Sequence, residues 1–272
     1  MIGPLPYIGG KNRFARIIIP LIPKHLTYVE PFSGGAQMLF HKEPSRVEVL
    51  NDLDGDIVNF FRICRHHHAE LVRELSFSLV SRKLYAIYTR FDPDTLTDIQ
   101  RAARFFYLQK NSFGGLVVKR NYHISITGPP NFNPRRIPEI LDQAHQRLAK
   151  VQIECLPYEQ VLLKFDRTSS FFFIDPPYYG RKLYRFNFAF DDFHLLAERL
   201  RGLAGKFILT LNDLPEVRQI FSAFEMLPIS IAYSSQKKAG VRYPELLISN
   251  FRLEKNAFSK PTLNNGAAQE NA

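Results

Sequence analysis

Four consecutive apolar residues, Phe171 to Ile174, run without a break into Asp175, Pro176, Pro177 and Tyr178. No polar residue alternates within the run, so a strand here keeps neither face in water and reads as one buried on both sides. Pro176 and Pro177 end it, because each lacks an N–H and fixes φ. The backbone after Asp175 is therefore stiff and rich in acceptors, with a carboxylate at the exit from the core. Such an exit can hold a planar group that donates two hydrogen bonds, such as the exocyclic amine of a base. The Asp175 side chain and the Pro176 carbonyl would grip it while Tyr178 covers the base's face. A plain strand-ending Asp-Pro turn is the competing reading.

The elements around this exit repeat one rhythm. "TYVEPFSGGAQMLF" reads as a strand from Tyr28 to Glu30, a turn at Gly34 and Gly35, and a helix. "SRVEVLNDLDGDIVNFFRICRHH" repeats it with a strand from Val47 to Leu50, the acidic turn Asn51 to Asp54, and an amphipathic helix carrying Ile57, Val58, Phe60 and Phe61. Beyond Asp175 come a helix in "DDFHLLAERLRGL", with Asp191 or Asp192 as its N-cap, and the buried strand "KFILTLND". Two further strands, "FEMLPISIAYS" and "YPELLISNF", flank the basic loop "SQKKAGVR". Strand and helix alternating in this way call for a parallel sheet with crossover helices.

Between about residues 76 and 150 the rhythm breaks. "RAARFFYLQKNSFGG" reads as a helix up to a Gly-Gly stop, "LVVKRNYHISIT" as a hairpin strand pair, "GPPNFNPRR" as a loop and "IPEILDQAHQRLAKV" as a helix. The expected organisation is a catalytic domain from residues 1–75 and 151–256, an inserted subdomain at 76–150, and a polar, disordered tail at 257–272. Charge singles out the same insertion. Of a net +10 over 272 residues, residues 101–150 hold +7, nine Lys or Arg against Glu139 and Asp142. A local field of that sign suits a polyanion.

Other classes fall away. Cys64 and Cys155 are too few for a disulfide framework or a cysteine-based zinc site, and they fit a reducing compartment, so a cytoplasmic place of work is expected. The apolar run "RIIIPLIP" is short and broken by proline, so no membrane span and no signal segment are expected. His66, His67 and His68 point in different directions on a helix and do not make a metal site. No metal is called for, and no obligate protein partner is evident.

In an open parallel sheet, ligands bind beyond the carboxyl ends of the strands, where Gly34, Gly35, Asp52 and Asp175 would all fall. The glycines admit a ligand close to the backbone, and Asp52, at the end of the next strand, can accept hydrogen bonds from ribose hydroxyls. The glycine pattern is not G-x-G-x-x-G, and "GGK" at Gly9 to Lys11 lacks the spacing of a P-loop, so a nucleoside without a polyphosphate is expected.

Together "PYIGGK", "EPFSGGA", "LNDLDGDIVNFF", "FIDPPYY" and "ELLISNF", in this order over about residues 4 to 252, closely resemble the D12-class DNA adenine-N6 methyltransferases, the family that includes the Dam enzymes. The resemblance implies an α/β fold: a Rossmann-like S-adenosylmethionine-dependent methyltransferase domain with a mainly helical inserted DNA-recognition subdomain. It implies methyl transfer from S-adenosyl-L-methionine to adenine N6 in double-stranded DNA by base flipping. Carried onto this chain, it makes Asp175, Pro176, Pro177 and Tyr178 catalytic. It assigns Tyr7, Gly10, Lys11, Glu30, Phe32, Ser33, Gly34, Gly35, Asp52, Leu156 and Asp175 to the cofactor. In the basic insertion, Asn111, Ser112 and Phe113 are candidates for approaching bases, and Lys119, Arg120, Asn121, Arg135 and Arg136 for contacting DNA. Two alternatives stay open at this point. One is a methyltransferase acting on RNA or on a protein amide nitrogen. The other is a non-catalytic nucleic-acid-binding module, which would be expected to have lost Asp175, Asp52 or Gly34.

Overall fold

The structure is a computed structural model describing residues 1–7, 12–118, 120–124, 128–232 and 242–253. Among the described residues seven strands form one sheet: β1 (Thr27–Glu30), β2 (Val47–Asn51), β3 (Val151–Glu154), β4 (Ser170–Ile174), β5 (Lys206–Asn212), β6 (Glu225–Ala232) and β7 (Arg242–Ser249). Their spatial order is β3-β2-β1-β4-β5-β7-β6. The first five are parallel, and β7 lies antiparallel to both β5 and β6. Connections leave β1 toward β2 on one side and β4 toward β5 on the other, so the sheet order reverses between β1 and β4. That reversal opens a crevice at their carboxyl ends.

Ten helices surround the sheet: α1 (Asn12–Ile18), α2 (Gln37–His41), α3 (Gly55–His66), α4 (His68–Ser76), α5 (Arg82–Arg90), α6 (Asp98–Asn111), α7 (Ile137–Leu148), α8 (Tyr158–Phe165), α9 (Phe190–Arg201) and α10 (Pro215–Ile220), counted among the described residues. Alternate strand residues feed two cores. Tyr28, Phe171, Phe173, Ile208 and Leu247 pack with residues of α1 to α7, and Val29, Phe172, Ile174, Leu209 and Leu246 pack with α8, α9 and α10. Both faces of β4 are thus covered, which is why its sequence is apolar without alternation. No helix among the described residues is long and apolar enough to cross a membrane.

α6 starts at a capping box between Thr97 and Gln100 and buries Ala102, Ala103 and the run Phe105 to Leu108. From Ala102 to Gln109 it is buried on every side because it is wedged between α3, α4 and α5, with the Phe106 ring stacked on Phe60 at 5.6 Å. The apolar residues of 76–150 therefore join the core of the sheet's first face rather than enclosing one of their own. α7 is bound to the sheet as well, since Arg147 reaches both oxygens of Glu48 on β2, at 2.5 and 2.8 Å.

Three local expectations change. Within the segment expected to form a hairpin with itself, 116–127, residues 119 and 125–127 lie outside the described residues, and the described part makes an isolated bridge, Ser112 to Tyr122, with the His123 N–H donating to the Asn111 carbonyl at 2.7 Å. Gly114 and Gly115, both at positive φ, turn the chain back onto the end of α6, whose carbonyls need donors. α6 itself stops at Asn111, before the Gly-Gly pair. The N-cap of α9 is Ala189; Asp192 lies inside the helix and accepts from the Ala189 N–H at 2.7 Å, satisfying that donor from the first turn. Of the basic loop 235–242, residues 235–241 lie outside the described residues, as does the tail 257–272, and Arg242 opens β7.

Candidate active site

The crevice is organised by the ends of β1 and β2. Asn51 stitches three strands together: its amide donates to the Pro31 and Leu156 carbonyls, both at 2.9 Å, and its oxygen accepts from the Leu156 N–H at 2.8 Å. Asp52 follows, with Oδ2 accepting from the Gly34 N–H at 2.8 Å and Oδ1 from the Asp54 N–H at 2.9 Å. Gly34 takes φ +47°, and a Cβ on it would stand 2.9 Å from the Tyr7 ring. A Cβ on Gly35 would meet the Tyr7 Cβ at 2.8 Å and the Leu5 carbonyl at 3.1 Å. The close approach that these glycines allow is thus made by the chain's own N-terminal segment, which lays Tyr7 over the turn.

A cavity of about 540 Å³ opens at this point. Tyr7, Glu30, Phe32, Ser33, Gly34, Gly35, Asp52, Leu156 and Asp175 all line it, while Gly10 and Lys11 lie outside the described residues. The size suits one small molecule. The walls divide by chemistry: Phe32, Leu156 and Tyr158 offer an apolar slot, Asp52 an acceptor for hydroxyls, and Glu30 and Asp175 acidic groups for a cationic centre. This set fits S-adenosylmethionine, whose adenosine is flat and hydroxylated and whose amino-acid end and sulfur carry positive charge.

Burial tunes these acids. Glu30 is 1% exposed, and its carboxyl is pushed up to about 8, chiefly by burial and also by the charge of Asp175. The Tyr28 hydroxyl and the Leu39 N–H donate to its Oε1 at 2.8 and 2.7 Å and pull the other way. Asp52 is raised to about 6 by burial, moderated by the N–H groups that it accepts.

One side of the cavity is a strap formed by the chain after Tyr178. Tyr184 stacks on Tyr7, ring centroids 6.1 Å apart, and Phe188 packs against Phe32 and Tyr158 at 5.7 Å. Arg185 fastens the strap by donating to Asp54 at 2.9 Å and Asp56 at 2.8 Å. Asp54 is the N-cap of α3, and Asp56 also accepts from Arg101 of α6 at 2.5 Å. Burial works to raise Asp56, but the two guanidinium groups outweigh it and hold its carboxyl below the usual range.

At the exit of β4, Asp175 and Pro177 reach the cavity wall, whereas Pro176 and Tyr178 lie beyond it. Thr210, fully buried on the adjacent β5, donates to Asp175 Oδ1 at 2.5 Å. The Tyr178 hydroxyl donates to Glu245 of β7 at 2.5 Å. Burial, then the charges of Glu245 and Asp175, raise the Tyr178 phenol well above 10, so it stays protonated. Thr210 and Arg185 were not singled out from sequence, and Glu245 entered only as the first residue of the motif "ELLISNF", with no role attached. The available signal for Thr210 and Glu245 was a polar residue within an otherwise buried apolar strand.

The candidates in the basic insertion separate. Asn111 and Ser112 are buried, and both serve α6: the Asn111 amide donates to the Tyr107 carbonyl at 2.9 Å and the Ser112 hydroxyl to the Leu108 carbonyl at 2.6 Å. Arg120 is also committed inward, to the Leu116 carbonyl at 3.1 Å and Gln109 Oε1 at 3.0 Å, over the ring of Phe105. These three side chains cap and brace the end of α6 instead of facing outward, because that end has carbonyls and an amide to satisfy. Phe113, Asn121, Arg135 and Arg136 are exposed, and Lys119 lies outside the described residues.

Comparison with known proteins identifies the family. The family model for D12 class N6 adenine-specific DNA methyltransferases matches residues 7–234. The chain is 22% identical over 267 residues to the Type II methyltransferase M1.LlaDCHI of Lactococcus lactis subsp. cremoris, covering 90% of this chain and 94% of that protein. It is 24% identical over 232 residues to the Retron Ec67 DNA adenine methylase of Escherichia coli, covering 81% and 80% of the two chains. Against the Type II methyltransferase M.CviBI of Paramecium bursaria Chlorella virus NC1A it is 25% identical over 175 residues, covering 62% and 66%.

Proposed function

The chain belongs to the D12 class of N6 adenine-specific DNA methyltransferases, and on that premise we propose that it extrudes an adenine from double-stranded DNA and methylates it between Asp175, Pro176 and Tyr178. It is a site-specific DNA adenine methyltransferase that uses S-adenosylmethionine. When bound, the cofactor supplies a methyl group on a positively charged sulfur, open to attack by nitrogen. The rest falls to the chain's own residues. Asp52 accepts hydrogen bonds from the ribose, Phe32 and Leu156 flank the adenosine, and Glu30 faces the cationic end.

An exocyclic amine is a poor nucleophile while its lone pair is shared with the purine ring. Two hydrogen bonds from its N–H groups, to the Asp175 carboxylate and the Pro176 carbonyl, favour the form with the lone pair on nitrogen and aim it at the cavity. Asp175 is also placed to receive the proton that the nitrogen sheds on methylation. The amine is out of reach inside a duplex, so the base must leave the stack, and Tyr178 supplies an aromatic face to replace the lost neighbours. Exposed Arg135 and Arg136 supply phosphate contacts on the insertion's surface.

The observation that carries this reading is that Asp175 shares one cavity with Glu30, Gly34 and Asp52. A DNA substrate and two free cysteines fit a cytoplasmic place of work. The relatives named as Type II methyltransferases support a role as the protecting half of a restriction-modification pair. The test is methyl transfer from labelled S-adenosylmethionine to unmethylated genomic DNA, with RNA and protein in parallel and sequencing of modified adenines. Label in adenines of one short motif is expected, and label only in RNA or protein refutes the reading. Asp175→Ala should keep cofactor binding and lose nearly all turnover; full activity in that variant sinks the mechanism.

A further inference from the structure

Glu245 is a charge in an improbable place. It is 2% exposed on β7, followed directly by the fully buried Leu246, Leu247 and Ile248, and it sits between Asn212 of β5 and Ile229 of β6 in the sheet. An apolar residue would pack there without the cost of desolvating a carboxylate, so a buried acid at this position calls for polar partners. One of its contacts reaches the catalytic motif: its Oε2 accepts from the Tyr178 hydroxyl at 2.5 Å, across 67 residues of sequence. Neither Tyr178 nor Glu245 lines the cofactor-sized cavity. Their contact therefore lies outside the cofactor-sized cavity, on the motif proposed to hold the target base.

We infer that Glu245 is a positioning residue for the reaction, holding the Tyr178 ring by its hydroxyl in the orientation that covers the flipped base; this rests on the proposed role of Tyr178. The backbone entering Tyr178 is stiffened by Pro176 and Pro177, and the Tyr178 carbonyl accepts from the Arg181 N–H at 3.0 Å, but the ring still turns about its side-chain bonds. A hydrogen bond at the far end of the ring gives it a second fixed point. A ring set in place before the base arrives does not have to be ordered when it does, so the arrangement acts on turnover and DNA binding and leaves the cofactor alone.

The test compares Glu245→Leu, Glu245→Gln, Tyr178→Phe, Tyr178→Ala and the double variant Glu245→Leu/Tyr178→Phe. Methylation of genomic DNA is measured alongside calorimetric binding of S-adenosylhomocysteine. Glu245→Leu and Tyr178→Phe should each lower kcat/KM for DNA by roughly tenfold, and the double variant no further, with cofactor affinity unchanged throughout. Glu245→Gln, which retains an acceptor oxygen, should recover most of the loss and also guards against misfolding of the leucine variant. Additive losses, or a Glu245→Leu enzyme as active as the parent while Tyr178→Ala is inactive, overturn the inference and spare the role of Tyr178. Parental activity in Tyr178→Ala overturns both.

Discussion

Replacing Glu30 by glutamine should remove a pH dependence that the fold builds into its own stability. The carboxyl has an ordinary value of 4.5 and is pushed up to about 8 in the folded protein, mainly by burial. The folded chain thus holds this proton more tightly than the unfolded chain does. The stabilisation is fully present below about 4.5, is lost progressively as pH rises, and is gone above about 8. A difference of about 3.5 units at 1.36 kcal/mol each sets a ceiling of about 5 kcal/mol, and relaxation of the site brings the expected effect to roughly 2–3 kcal/mol. Glutamine keeps an oxygen for the Tyr28 hydroxyl and the Leu39 N–H, and it does not ionise. Urea unfolding of the cofactor-free protein, parent against Glu30→Gln, from about pH 5 to about pH 8.5 measures the difference directly. The glutamine variant should gain on the parent steadily as pH rises, while the contribution of Asp52, common to both, cancels. A stability difference that stays flat across that range would refute the reasoning.

Thr210→Val removes the hydroxyl that holds Asp175 Oδ1 at nearly constant volume. It should lower kcat by roughly tenfold with cofactor affinity unchanged, and Thr210→Ser should restore it; steady-state kinetics on DNA decide. Arg185→Ala unfastens the strap from Asp54 and Asp56. Although the arginine side chain is 40% exposed, Asp54 and Asp56 are only 5% and 1% exposed, so removing their partner should lower stability measurably, and calorimetry should show S-adenosylhomocysteine bound several-fold more weakly. Reversing the charges of Arg135 and Arg136 should weaken binding to all DNA sequences alike and flatten its salt dependence; an unchanged salt slope would take these residues out of the interface.

Much of the fold was legible along the chain. The continuous apolar run before Asp175 announced a strand covered on both faces, and strand-turn-helix alternation announced a parallel sheet, because side-chain periodicity records which local face meets the core. The cofactor side was legible for the same reason. Glu30, Gly34, Asp52 and Asp175 sit at the ends of strands, and in a parallel sheet all those ends share one rim.

The insertion was less legible. Its charge pointed to a polyanion, but charge does not say which way a side chain faces, and Arg120 with its neighbours Asn111 and Ser112 turned inward to serve the end of α6. The partners that hold the catalytic motif were decided by tertiary structure alone. Thr210 meets Asp175 because β5 lies beside β4 in the register that pairs Ile174 with Leu209. Glu245 meets Tyr178, and Arg185 meets Asp54 and Asp56, across 67 to 131 residues of chain. Local pattern sets which residues leave water, but a hydrogen bond needs two groups within about 3 Å, and for groups so far apart in sequence only the packing of the whole sheet brings them that close.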